Sequence, residues 1–265
     1  MDKIQKDIND ALDPTRRLNL VKIIFVAPFF SLMIMLGTSL PINLFRMASE
    51  AGHELFTQLT SVENSLIPPD SFFGFLFLFS LLCFISFYII SKRNRIKAYL
   101  LTQILQLILF VIFYYSWFIA NLYFIPLVAI RIVYWIGFVL SLIYFIYIFV
   151  TKQRARKDFF ASLNIKKFLN VILFLWLLMS GINLFTHGLN HFLAHLLLAL
   201  LPISPILFGL FMVSFLKSYL VTLENLNAVN KNQEKYREEY GYTIEEWYGK
   251  KSKMYKEHVK KSKKR

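Results

Sequence analysis

The chain has 265 residues, of which 57% are apolar and 17% aromatic, and it carries +14 at pH 7 from 30 Lys and Arg against 16 Asp and Glu. A soluble domain of this length lacks the polar surface to cover so much apolar side chain, which excludes an ordinary globular enzyme. The acids fall only in residues 1–70, at Asp158, and from Glu224 onward, so the long stretches between them hold no carboxylate, as burial in hydrocarbon requires. The basic excess gathers at the ends of apolar runs, which points to anionic lipid headgroups and away from DNA.

Residues 1–19 read as a cytosolic amphipathic segment, with Ile4, Ile8 and Leu12 on one helical face and Asp13-Pro14 as a helix start. A short helix lying on the membrane surface is predicted there. The first apolar run, Ile23 to Phe45, follows mostly polar residues and has no small-x-small cleavage site, so it is read as an uncleaved span. Residues 46–70 form a loop that ends at Pro68-Pro69-Asp70, and the second span, 71–90, stops at the basic turn Ser91-Lys92-Arg93-Asn94-Arg95-Ile96-Lys97.

Ala98 to Val150 is 53 residues with a single charge, Arg131, which is too long for one crossing at 1.5 Å per residue. Two spans, 98–118 and 130–150, are predicted, broken near Asn121 to Pro126. Arg131, near the end of its span and with no acid in any span, is expected to snorkel to the interface. A second basic loop, 151–167, resembles the first in composition, which hints at duplicated helix pairs. Two further spans follow at 168–186 and 194–216, with Pro202 and Pro205 expected to kink the last helix.

Lys and Arg alternate sharply between connections: 28 of the 30 lie in 1–22, 92–97, 151–167 and 217–265. The positive-inside pattern then puts both termini in the cytoplasm. The fold class is therefore an all-α integral membrane protein, a bundle of about six transmembrane helices in three hairpins occupying 20–216. It carries a short amphipathic N-terminal helix and a basic helical cytosolic tail, 217–265, and its localisation is the cell membrane, multi-pass. The Lys, Ile, Phe, Asn and Tyr bias suggests a bacterial source.

In the tail, a helix from Leu216 to about Tyr240 is expected to break at Gly241. Thr243 followed by Glu246 makes a capping box for a second helix bearing Ile244, Trp247 and Tyr248. Trp247, Tyr248, Lys250 and Lys251 are the candidate contacts for a protein partner, because an ordered aromatic element exceeds what a plain lipid anchor needs. Anionic headgroups are the other expected partner of this basic tail.

His187, His191 and His195 recur every four residues, a spacing from which two imidazoles can chelate one ion. The predicted topology places His53 and Glu54 on the same side. These five are the candidate metal ligands, with zinc or copper as the ion their chemistry suits. Ordinary interfacial histidines bonded to carbonyls and water are the competing reading. The string from Phe185 to His195 resembles the histidine-bearing second span of rhomboid intramembrane proteases over eleven residues. No Gly-x-Ser-Gly nucleophile follows it, so no protease chemistry is carried over.

No Walker motif, phosphate-binding glycine loop, Cys-x-x-Cys or intramembrane carboxylate is present, which excludes a self-contained ATPase, thiol-redox enzyme or ordinary proton-coupled carrier. The expected function is a non-catalytic membrane subunit of a transport or secretion assembly. The alternatives are a bacteriocin- or toxin-immunity protein and a histidine-based metalloenzyme of the membrane.

Overall fold

A computed structural model of the chain describes residues 2–17, 19–151, 165–189, 192–200 and 203–262. The described residues are helical, with no strand among them. In chain order the helices are α1 (Lys3–Arg17), α2 (Leu20–Glu50), α3 (Ser61–Ser65), α4 (Asp70–Ser91), α5 (Arg95–Leu122) and α6 (Val128–Thr151). They continue with α7 (Ile165–His187), α8 (Phe192–Leu198), α9 (Ser204–Lys231), α10 (Gln233–Glu239), α11 (Ile244–Tyr248) and α12 (Lys253–Ser262).

Five of these helices are long and apolar enough to cross a membrane, and no more than 17% of any qualifying window is buried inside the protein. Their outward faces are apolar: Phe25 is 73% exposed, Val133 66% and Phe185 88%. Side chains of this kind need a nonaqueous solvent, which lipid supplies. The first expected span is longer than its apolar run, because α2 continues through Pro28 and Pro41 to Glu50. The expected break between the third and fourth spans falls between Leu122 and Val128. Residues 152–164 of the second basic loop, 151–167, lie outside the described residues.

The chain divides into two compact units, one of residues 1–36, 71–110 and 219–265, the other of residues 37–70 and 111–218. The first holds both termini. Its core joins Ile8, Ala11 and Leu12 of α1 to Ile96 at the start of α5, to Leu226 and Val229 of α9, and to Trp247 and Tyr248 of α11. The amphipathic face of α1 is therefore covered by the chain itself. This corrects the expectation of a helix lying on the membrane: the apolar stripe seeks a nonaqueous neighbour, and the C-terminal helices provide one. Polar ties reinforce the packing. Asp7 accepts hydrogen bonds from Thr222 (3.2 Å) and Asn225 (2.8 Å), and Tyr242 donates to Asn9 (2.6 Å).

Two local signals shape the C-terminal end of this unit. Gly241 takes φ +70°, and the chain bonds Tyr242 N–H to the Arg237 carbonyl and Gly241 N–H to that of Glu238. That is a Schellman closure of α10, which favours glycine at the left-handed position. Two residues later Thr243 accepts from Glu246 N–H while Glu246 accepts from Thr243 N–H, so the expected capping box starts α11.

In the second unit, Phe118 stacks on Phe138 at 4.2 Å and on Tyr134 at 4.7 Å, joining α5 to α6. The segment after α2 packs back on the α5–α6 connection. Thr57 N–H donates to the Tyr123 carbonyl at 2.8 Å, and Phe56 contacts Phe45 and Phe124. Thr60 and Glu63 form a second capping box, at the head of α3.

Arg131 sits under this segment. Its side chain is only 2% exposed, its Nε lies 3.3 Å from Glu63 Oε1, and its guanidinium donates to the Gln58 carbonyl at 3.0 Å. The expectation that Arg131 snorkels to the interface is therefore wrong. Glu63 meets it from outside the spans, where the sequence pattern offers no partner.

Candidate functional site

The terminal unit carries a half-open hollow of about 380 Å³ where the basic turn after α4 meets the C-terminal helices. Its wall is built from three stretches distant in sequence. Thr15 and Arg16 come from the last turn of α1, and Ser91, Lys92 and Arg95 from the α4–α5 turn. Glu245, Glu246, Gly249, Lys250 and Lys251 come from α11 and the residues after it. Five cations and two carboxylates thus line one hollow. The volume lies within the range of small-ligand pockets, about 300–1,000 Å³.

Each wall element is fixed by its own local chemistry. Asn94 accepts from Lys97 N–H at 2.9 Å, which caps α5 and sets Arg95 in its first turn. The Arg95 guanidinium reaches across to donate to the carbonyls of Glu246 (2.5 Å) and Glu245 (3.4 Å). Gly249, at φ +81°, lets the chain turn close to it: a Cβ there would lie 3.0 Å from an Arg95 guanidinium nitrogen. Ser252 then donates to the Gly249 carbonyl at 2.8 Å and closes the turn that carries Lys250 and Lys251.

The charges are only partly matched. Arg16 lies 3.9 Å from Glu246 and 4.0 Å from Asp13, both loose contacts. Lys250 lies 3.3 Å from Glu245 but is 73% exposed, so this pair contributes little in water. Lys92 lies over the Tyr88 ring at 4.8 Å. Burial and then the neighbouring cations Lys251 and Arg95 push its ammonium below its ordinary value. Glu246 is held below the usual carboxylate range, first by the Thr243 N–H and hydroxyl and then by Arg16 and Arg95.

The chain matches no family profile, no curated protein and no solved structure. What the site can do rests on its own chemistry. A pocket lined by five cations and two carboxylates suits an anion, and its arginines suit a planar or tetrahedral oxyanion in particular.

The residues singled out from the sequence are distributed unevenly around this site. Lys250 and Lys251 line the cavity. Trp247 and Tyr248, by contrast, are 0% and 6% exposed within the core of the terminal unit. Their polar ends are satisfied internally, Trp247 by Gln233 (3.2 Å) and Tyr248 by Glu234 (2.8 Å), so their surfaces are already occupied by the chain. Sequence reasoning passed over Arg16, Lys92 and Arg95, which it counted only as topology signals.

Of the candidate metal ligands, His53 and Glu54 are exposed in the turn after α2, where the His53 ring packs edge-on against Phe56 at 5.5 Å. His191 lies outside the described residues, and so do the side chains of His187 and His195. Among the described residues no three or more His, Cys, Asp or Glu side chains come together as a metal site.

Proposed function

We propose that the chain is a six-span membrane protein with both ends in the cytoplasm. In this reading it serves as a non-catalytic subunit of a transport or secretion assembly and offers its folded terminal unit as the docking element. The observation that carries it is the shared core of α1, α9 and α11, where the two ends of the chain pack together. Ends that share a core fit one side of the bilayer, which supports an even number of crossings. Five helices qualify as spans on their own, and residues 194–216 supply the natural sixth. The Lys and Arg distribution then favours the cytoplasm for that side.

Docking is supported by the charge pattern of α12, whose Lys253, Lys256, Lys260 and Lys261 are exposed while Met254 adds an apolar contact. A cytosolic component with an acidic face complements this surface. Two measurements test the reading. In a Cys83→Ser background, cysteines at Asp2 and Glu257 should react only with membrane-permeant reagents in intact cells, and one at Glu54 with impermeant reagents. Mild-detergent purification should return a stoichiometric partner that is lost when the four α12 lysines become Gln. Labelling of either end from outside overturns the topology, and a chain recovered alone overturns the assembly role.

A further inference from the structure

We infer that the cavity between the α4–α5 turn and the C-terminal helices is a phosphate site, built for the phosphate group of an anionic headgroup or of a small phosphorylated ligand. The inference rests on the membrane reading above, because that reading sets the depth of the site.

Four observations converge on it. First, the hollow is walled by Arg16, Lys92, Arg95, Lys250 and Lys251 against only Glu245 and Glu246. Five cations within one small cavity repel one another, and a bound phosphate anion relieves that repulsion. Second, the cavity is preorganised. Arg95 is clamped on two backbone carbonyls, and Gly249 is shaped to its guanidinium, so the site does not need to assemble around its ligand. Third, Lys92 is held against Tyr88 with Lys251 and Arg95 as its electrostatic neighbours, which places two ammonium groups and a guanidinium around one space. Fourth, the site occurs where apolar helices end. Ser91 closes α4 and Arg95 opens α5, both qualifying spans, so Lys92 lies where a bilayer carries its phosphates.

The two carboxylates offset two of the five cations and leave the lining at +3. Glu246 caps Thr243 through one oxygen and faces Arg16 at 3.9 Å with the other, and Glu245 lies 3.3 Å from Lys250. A polybasic tail acting only as a diffuse anchor would need no hollow built from three distant stretches of chain. Its lysines would be interchangeable, and this difference is what the experiment reads.

The test uses the full-length protein, purified and delipidated, in detergent and in nanodiscs. Native mass spectrometry would compare binding of dioleoyl phosphatidylglycerol with that of dioleoyl phosphatidylcholine, with and without millimolar inorganic phosphate. Lys92→Gln/Lys251→Gln removes two cavity charges, and Lys260→Gln/Lys261→Gln removes two from α12. At about 1 kcal/mol per cation near a phosphate, the cavity pair should weaken phosphatidylglycerol binding roughly thirtyfold, while the α12 pair changes it by less than about threefold.

Competition by inorganic phosphate without lipid selectivity would assign the site to a soluble phosphorylated ligand. Selectivity for phosphatidylglycerol that phosphate does not compete away would assign it to lipid. Equal losses in the two variants, or no loss in either, would overturn the site and leave only diffuse charge. Failure of the protein to insert into nanodiscs would be a failure of the membrane reading itself and is seen separately.

Discussion

Replacing Trp247 by Ala is the sharpest test of how the terminal unit holds together. The indole is fully buried, shares its core with Ile8, Leu12, Ile96, Leu226 and Val229, and donates through Nε1 to Gln233. Truncating a fully buried Trp costs about 3–5 kcal/mol, from lost apolar transfer and the cavity left behind. Here the loss falls on one contact surface, because α11 has five residues and Trp247 is its largest inward side chain. Release of α1 from α11 should therefore become roughly two to four orders of magnitude more frequent.

Hydrogen exchange with mass spectrometry in nanodiscs reads this directly, because amide protection tracks local opening. The peptide covering α1 should lose about that factor of protection, while peptides from α4 and α6 stay unchanged. Met254→Ala, at a side chain 43% exposed, is the control and should leave α1 protected. If α1 exchanges equally slowly in Trp247→Ala and in the wild type, the shared core does not hold the two ends together, and the parity argument for six spans loses its footing.

Two further outcomes are expected. Glu63→Gln keeps an acceptor for the Thr60 cap but leaves Arg131 buried without its counter-charge, a change worth about 3–5 kcal/mol; the thermal midpoint in detergent should fall clearly, and Arg131→Met on the same background should restore part of it. Because the folded-state pKa of Glu246 lies below its ordinary 4.5, its stabilisation of α11 is complete above that value and is lost as pH falls through the lower one. The part of the tryptophan emission that Trp247→Phe removes should shift red below about pH 4.5, and Thr243→Ala should weaken that pH dependence, since the cap is its main cause.

Much of the architecture was legible because lipid imposes a simple rule on sequence. Spans must be long and apolar, so α4, α5 and α6 begin and end within a few residues of where hydropathy and charge put them. The Thr243–Glu246 box and the break at Gly241 were legible too, because each is decided within four residues of chain. The Thr60–Glu63 box carries the same signature, Thr-x-x-Glu, and could have been found the same way. It was hidden by the expectation that 46–70 is a plain loop.

The parts that were not legible depend on distant partners. The α1 stripe predicts burial of Ile8 and Leu12 equally well in a bilayer surface or in a protein core, because both are apolar solvents. Only the position of Trp247, more than two hundred residues away, decides between them. Arg131 shows the same limit from the opposite direction. A lone charge in an apolar run predicts an escape to water whenever no acid shares its membrane depth. Glu63 reaches it from a folded loop instead, with one carboxylate oxygen on the helix cap and the other on the guanidinium.

These two cases bear on how a chain with so few polar side chains fixes a unique structure. Apolar packing between lipid-exposed helices is weakly directional, since a lipid tail competes with any neighbouring side chain. Specificity must then come from the few points where charge or hydrogen bonding admits one arrangement. In the unit with 37–70 and 111–218 that point is the Arg131–Glu63 pair, because an unmatched guanidinium there is far more costly than any mispacked Leu. In the terminal unit it is Arg95, whose Nη1 must find the carbonyls of Glu245 and Glu246, and Asp7, which must find Thr222 and Asn225. On this argument Arg95→Lys disturbs the terminal unit despite keeping the charge, since an ammonium lacks the planar guanidinium that packs against Gly249 while donating to the Glu246 carbonyl.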